Sequence, residues 1–439
     1  MERKNLEEIV TRLLAEAKTR GATAAEVDAS VVNGLSATVR LGEVETVEHN
    51  KDRGVGITVY FGKRKGSAST SDWRAQALVD VVAAACDIAR YTAEDEYSGL
   101  ADAQLMAYDY PDLDLSHPWQ VGMEDAISLA TRCETAAREF DPRIGNSEGA
   151  TVSTHEGLRA YGNSHGFIGS YASTRHSVSC AVIAESGDTM QRDHWYTTAR
   201  DPGSLDDVEE VGRTAAKRTV RRLDGRRLPT GQVPVLFAAE VAGGLLSHFI
   251  GAIRGDSLYR RSTFLLDSLG TQVFPSFITL REEPHLRGAI GSAPFDAEGV
   301  RTQTREIVRD GVVQSYVLDT YSARKLNLVT TGNAGGVHNL SITTGSSGYD
   351  ELIRQMHRGL VVTELMGQGV NRVTGDYSRG AAGFWVENGS IAYPVEEITV
   401  AGNLRDMYAK IVAVGNDVDP RRSTRTGSIL IEQMTIAGT

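Results

Sequence analysis

The stretch Val233-Pro234-Val235-Leu236-Phe237-Ala238-Ala239-Glu240-Val241-Ala242-Gly243-Gly244-Leu245-Leu246-Ser247-His248 changes character in its middle. An unbroken apolar run gives way to small and apolar residues that predict a helix over 239–253, with Glu240 as the lone carboxylate at its start. A carboxylate there is stabilised by the free amide groups and the dipole of a helix N-terminus. Downstream, glycine-rich connections join many short strands. Asp310-Gly311 between Glu306-Ile307-Val308 and Val312-Val313, and Asn388-Gly389 between Trp385-Val386 and Ile391-Ala392-Tyr393, are two-residue hairpin signals. Only two further helices are expected here, over 321–326 and 349–357.

Upstream of the quoted stretch, Asp224-Gly225-Arg226-Arg227-Leu228-Pro229-Thr230-Gly231 is polar and punctuated, and we place a domain boundary there, giving 1–225 and 226–439. The first part opens with Leu6, Ile9, Val10, Leu13, Leu14 and Ala17 at helical spacing, ended by Gly21. Short β-branched runs over 27–32, 35–41, 43–48 and 55–61, separated by Gly34, Gly42 and Gly54, predict an antiparallel meander. Helices over 73–91 and 123–140 follow, then strands over 150–184 and on to 196, then a charged helix over 206–223. The fold class is α+β: a mixed N-terminal α/β domain with an antiparallel sheet, and a β-dominated, glycine-rich C-terminal domain.

A chain of 439 residues has ample length for such a core. The formal net charge of -11 opposes binding to phosphate backbones, so no direct nucleic-acid partner is expected. Lys217-Arg218-Thr219-Val220-Arg221-Arg222 is the local exception; with Asp206, Asp207, Glu209 and Glu210 before it, the segment reads as a solvated helix whose charges follow its dipole. Cys86, Cys133 and Cys180 are few, odd in number and far apart, which indicates neither a disulfide framework nor a Cys-x-x-Cys metal site. The N-terminus lacks a signal-peptide pattern, and no run reaches the roughly 20 apolar residues of a membrane span, so the expectation is a soluble, cytoplasmic protein without a membrane partner.

Several long motifs resemble one family. They are Gly54-Val55-Gly56-Ile57-Thr58-Val59-Tyr60, Ser262-Thr263-Phe264-Leu265-Leu266-Asp267-Ser268-Leu269-Gly270, Tyr321-Ser322-Ala323-Arg324-Lys325-Leu326, Thr363-Glu364-Leu365-Met366-Gly367-Gln368-Gly369, the run from Thr374 to Gly389, and Gly427-Ser428-Ile429-Leu430-Ile431-Glu432-Gln433-Met434. With the stretch at 233–248 they closely resemble the TldE (PmbA) branch of the TldD/TldE family, paired subunits of a bacterial zinc peptidase. In the TldD branch the zinc ligands are His-Glu-x-x-x-His and a distant Cys. The same register here holds Ala239, Glu240 and Gly244, and the cysteine position falls near Thr426 and Gly427. Alanine and glycine offer no lone pair, and threonine is a poor zinc ligand. Histidines five apart on a regular helix point roughly 140° from each other, so such a site needs a local distortion, for which Gly243-Gly244 is suited.

The resemblance thus implies a subunit with no metal, no cofactor and no catalytic residue of its own, its degenerate positions being Ala239, Glu240, Gly244 and Thr426. It implies a TldD-type partner that carries zinc and cuts extended or unfolded peptides, as in peptide-antibiotic maturation and antitoxin degradation by relatives; a homodimer is open for the lone chain. The rivals are a self-sufficient metallopeptidase with noncanonical ligands and a regulatory binding protein without proteolysis. Candidate chamber residues are Gly335, Gly336 and His338, where bare glycine backbone suits strand addition by a peptide, and Asp376, Tyr377 and Arg379. Each has a plainer reading: a tight turn, a satisfied buried histidine, and an Arg379–Asp376 ion pair. His155-Glu156 with His165 does not have zincin spacing, and Gly162-Asn163-Ser164-His165-Gly166 is followed by a strand rather than the helix of a nucleophile elbow.

Overall fold

The computed structural model describes residues 3–438. Its first part contains helix α1 (Arg3–Thr19), strands β1 (Ala24–Arg40), β2 (Glu43–Phe61) and β3 (Arg64–Thr70), and helices α2 (Ala75–Tyr91) and α3 (Met123–Arg138). Strands β4 (Asn146–Asn163), β5 (Ile168–Ser186) and β6 (Thr189–Ala199) and helix α4 (Val208–Val220) complete it. The strands form one six-stranded sheet in the order β3-β2-β1-β4-β5-β6, with every neighbour antiparallel. Odd-numbered residues of β1 from Ala25 to Val39 point into a single helical layer. There Leu6, Val10, Leu13 and Ala17 of α1 and Leu78, Val82 and Cys86 of α2 cover one end of the sheet, while Ala130, Cys133 and Ala137 of α3 and Val211 and Ala215 of α4 cover the other.

The expected four-run meander is corrected to two long strands. Gly34 does not end a strand. It pairs with His155 across the ladder, and a Cβ at Gly34 would lie 2.8 Å from the His155 Nδ1, so the glycine permits close approach within β1. Gly54 pairs with Ser30 in continuous register. Only Gly42 turns the chain, at φ +83 after Leu41 at +55, and the buried Glu134 carboxylate accepts both of their amides at 2.8 and 2.7 Å.

The second part contains β7 (Gly231–Phe237), α5 (Ala239–Ala252), α6 (Gly255–Tyr259), β8 (Leu280–Glu282), β9 (Arg305–Arg309), β10 (Val312–Val313), α7 (Thr320–Lys325) and β11 (Leu340–Ile342). It continues with α8 (Tyr349–Met356), β12 (Gly359–Met366), β13 (Asp376–Glu387), β14 (Ser390–Asn403), α9 (Leu404–Ala409), β15 (Ile411–Val414), β16 (Thr424–Arg425) and β17 (Ile429–Ala437). Two sheets result, β10-β9-β8-β11-β16 and β14-β13-β12-β7-β17-β15, and β14 also pairs with β17. Both predicted hairpins form: Asp310 and Gly311 have φ of 51 and 79, Asn388 and Gly389 of 52 and 72, the positive pair of a type I′ turn. The short helices α6 and α9 are absent from the sequence reading.

Helix α5 buries Leu245, Leu246 and Phe249 against the larger sheet, and α8 buries Leu352, Ile353 and Met356 on the other face. Phe249 stands edge-on to Phe274 at 4.9 Å and to Tyr408 at 5.9 Å. Truncating so enclosed a ring costs about 3–5 kcal/mol, which makes α5 a rigid support for whatever its N-terminus faces. The two parts meet where Phe295 packs among Phe167, Tyr110 and Tyr171 at 5.2–5.5 Å. Among the described residues no helix is long and apolar enough to cross a membrane.

Candidate functional site

The N-terminus of α5 opens into a cavity of about 960 Å³ between the two parts of the chain. Strand β6 contributes Trp195, α4 contributes Arg218 and is followed by its C-cap Arg221, α5 contributes Ala239 and Glu240, and the segment 417–425 closes the far wall. The degenerate motif positions Ala239 and Glu240 therefore line this cavity.

Helix α4 is started by Asp207, whose carboxylate accepts from the amides of Glu209 and Glu210. Its basic end is solvated at Lys217 and Arg221, as the sequence reading expects, but not at Arg218 and Arg222. Arg218 and Arg222 lie one turn apart, and their side chains are only 15% and 11% exposed. Arg218 Nη1 donates to Glu240 Oε1 at 2.9 Å, its Nε lies 3.4 Å from Asp193 Oδ2, and its guanidinium sits 4.9 Å over the Trp195 ring. Arg222 bridges Asp193 and Glu364. The buried face of the helix needs these anions, which arrive from β6, α5 and β12 and are invisible in the local charge pattern.

Arg421 covers the other side of the cavity. It donates to both Asp419 oxygens at 2.8 and 2.9 Å and to the Tyr196 carbonyl at 3.0 Å, and lies 3.8 Å from the Trp195 ring centroid, so the indole has a guanidinium on two sides. Burial alone would push the Asp419 carboxyl up, but the Arg421 fork outweighs it and holds the group below its ordinary value. Asp417 accepts from the Ser428 amide at 3.0 Å and hydroxyl at 2.6 Å, and the Ser428 oxygen accepts the Ala239 amide at 3.1 Å, which pins the start of α5. Burial raises the Tyr349 hydroxyl to about 12, with Arg221 beside it opposing, so this wall is a neutral hydrogen-bond donor at pH 7.

These residues do not suit a zinc ion. Ala239 and Gly244 carry no donor atom. Thr426 is buried, and its hydroxyl donates to the Gly427 carbonyl at 2.8 Å. The Glu240 carboxylate is occupied by Arg218. Helix α5 is regular throughout, without the distortion at Gly243-Gly244 that would turn positions 239 and 244 toward one point. Among the described residues no group of three or more His, Cys, Asp or Glu side chains is placed to hold a metal.

The six chamber candidates fall in two other places, and none lines this cavity. Gly335 and Gly336, at φ 99 and 121, form a turn closed by the Gly336 amide on the Asn333 carbonyl at 2.9 Å. The turn is organised by Glu282, a buried carboxylate that the sequence reading missed. Glu282 accepts the His338 amide at 2.7 Å and the Asn333 side chain at 2.8 Å, faces His338 Nδ1 at 3.2 Å, and takes two bonds from Arg305 at 2.7 and 2.9 Å. Burial pushes its carboxyl up, yet His338 and Arg305 hold it below the ordinary range. Nearby, burial raises Asp296 to about 6 and Glu298 to about 7, and Glu298 accepts the Thr320 amide and hydroxyl.

Asp376, Tyr377 and Arg379 lie on β13. The expected Arg379–Asp376 pair is corrected: Arg379 donates to the Leu365 carbonyl at 3.3 Å, while the exposed Asp376 accepts from Thr374 at 2.6 Å and Asn403 at 3.3 Å. Tyr377, two per cent exposed, stands edge-on to His248 at 6.1 Å, and burial together with Arg379 and Arg372 lowers the His248 pKa. His155 lies within β4, His165 in the turn after it, and the Ser164 hydroxyl accepts the Ala25 amide at 3.1 Å, so these two motif fragments are structural.

Family models for the PmbA/TldA metallopeptidase match residues 25–89 (domain 1), 116–223 (central domain) and 230–438 (C-terminal domain). The chain is 53% identical over its whole length to metalloprotease PmbA of Escherichia coli O157:H7, covering 97% of that protein. It is 49% identical to a PmbA homologue of Haemophilus influenzae, over 96% of this chain and 94% of that one. The solved structure of TldE from Thermococcus kodakarensis superposes with a TM-score of 0.86 over 98% of this chain and 100% of that one; at 20% identity it shows the shared fold. The chain belongs to the PmbA/TldE branch of the PmbA/TldA metallopeptidase family.

Proposed function

We propose that this chain is the non-catalytic subunit of a two-subunit peptidase, assembling with a TldD-type partner that carries the zinc. The observation that carries the reading is the set of motif positions: Ala239 and Gly244 without donor atoms, Thr426 bonded to the Gly427 carbonyl, and Glu240 committed to Arg218. A zinc ion needs several lone-pair donors around one point, and a general base needs a free carboxylate near the water it activates. The metalloprotease names of the close relatives support the peptide-cleaving setting. This chain's part is to shape the peptide's enclosure and hold the peptide in place, with the partner performing the hydrolysis on extended or unfolded segments.

Co-expression with a His-Glu-x-x-x-His relative tests the reading. The two chains should co-purify, and cleavage of an unstructured peptide should require both. A partner equally active alone removes the assembly role.

A further inference from the structure

The cavity at the degenerate motif holds cationic groups that the chain itself leaves unmatched. Its carboxylates are engaged or solvated: Glu240 with Arg218, Asp419 with Arg421, Asp417 with Ser428, and Asp114 with Arg287 at 3.5 Å. Asp201 accepts the Gly203 amide at 2.9 Å, and Asp206 is exposed at the margin. Arg200 is spent on the carbonyls of Ala289, Ile290 and Thr174. Two guanidiniums remain. Arg425, at the end of β16, has a buried Nε with no acceptor; Arg221 is exposed and faces no carboxylate, stacking 4.2 Å from the Phe384 ring beside the Tyr349 hydroxyl. A buried donor of a cationic group without an acceptor is costly, and an incoming anion removes that cost.

We propose that this cavity binds the C-terminal carboxylate of an oligopeptide, with Arg425 and Arg221 as the anion-binding pair. The planar guanidinium fork matches a carboxylate in two parallel hydrogen bonds, and the Tyr349 hydroxyl adds a neutral donor. Ala239, Ile290 and Val418 give the peptide's side chains apolar wall, and about 960 Å³ holds several residues rather than a lone anion. The choice of a peptide rests on the function proposed above; the need for an anion rests on the buried Arg425 Nε, with Arg221 as the second, solvent-facing cation.

The test is calorimetric titration of the full chain with an N-acetylated tetrapeptide as free acid, with the same peptide as C-terminal amide, and with inorganic phosphate. The free acid should bind at least about tenfold tighter than the amide, because one charge-assisted fork is lost. Arg425→Met should abolish that difference while leaving the melting temperature no lower than the parent's, and Arg425→Lys should keep part of the binding. Equal affinity for acid and amide, a difference that survives in Arg425→Met, or a melting temperature that falls in Arg425→Met would overturn the proposal. So would binding of phosphate without binding of the free acid. These titrations need no partner subunit, so a failed assembly leaves their outcome readable, and a failed titration leaves the assembly standing.

Discussion

Replacing Glu240 by alanine separates a structural carboxylate from a catalytic one. Two stabilising interactions disappear together. The helix N-terminus loses a favourable charge, worth about 0.3–1 kcal/mol. Arg218 loses its nearest anion at 2.9 Å, in a pair whose side chains are 22% and 15% exposed. Such a pair lies between an exposed one, worth at most about 1 kcal/mol, and a fully buried one, whose breaking costs about 3–5 kcal/mol. Arg218 keeps Asp193 at 3.4 Å and the Trp195 face, which places its share near the lower bound. The sum is about 1.3–2 kcal/mol. Glu240→Gln, which retains an acceptor oxygen and the packing, should lose about half as much. Urea midpoints at pH 7 measure both, and the Glu240→Ala/Arg218→Met cycle isolates the coupling. Peptide cleavage by the assembled complex should stay within twofold of the parent. An unchanged midpoint would refute the ion-pair argument, and a hundredfold loss of turnover with assembly intact would make Glu240 catalytic.

Gly244→Ala should stabilise the chain by about 0.5–1 kcal/mol in thermal or urea unfolding, because the helix is regular there and nothing lies within 4 Å of the added Cβ. Glu298 is protonated more readily folded than unfolded, so its stabilising contribution is complete below the ordinary carboxyl pKa near 4.5 and is lost as pH rises through about 7. Glu298→Gln should therefore gain on the parent by about 1–3 kcal/mol between pH 5 and pH 8, read from urea midpoints across that range. Glu282→Ala should cost about 3–5 kcal/mol, since it strands Arg305, 14% exposed, together with Asn333 and the His338 amide; circular dichroism on heating detects the loss.

Helices and tight turns were legible in the sequence because their signals are local. The stripe Leu6, Val10, Leu13, Ala17 and the Asp310-Gly311 and Asn388-Gly389 pairs each act within a few residues. Gly34 misled because its role depends on His155, more than a hundred residues away, and a glycine admitting a neighbour reads locally like one that turns. Arg218 and Arg222 looked solvated for the same reason: their anions Asp193, Glu240 and Glu364 come from three other elements. Family likeness located Ala239 and Glu240, but not the cavity they face, whose walls are drawn from residues 114 to 425. The buried Glu282 carried no motif, and only its position in β8 opposite the glycine turn exposes its part.

The most direct measurement is metal content and peptide cleavage for this chain, for a TldD-type partner, and for their mixture, each purified without chelators. The account predicts no stoichiometric zinc and no cleavage for this chain alone, zinc in the partner, and cleavage that requires the mixture. One tightly held zinc per chain here, or cleavage by this chain without the partner, would contradict it.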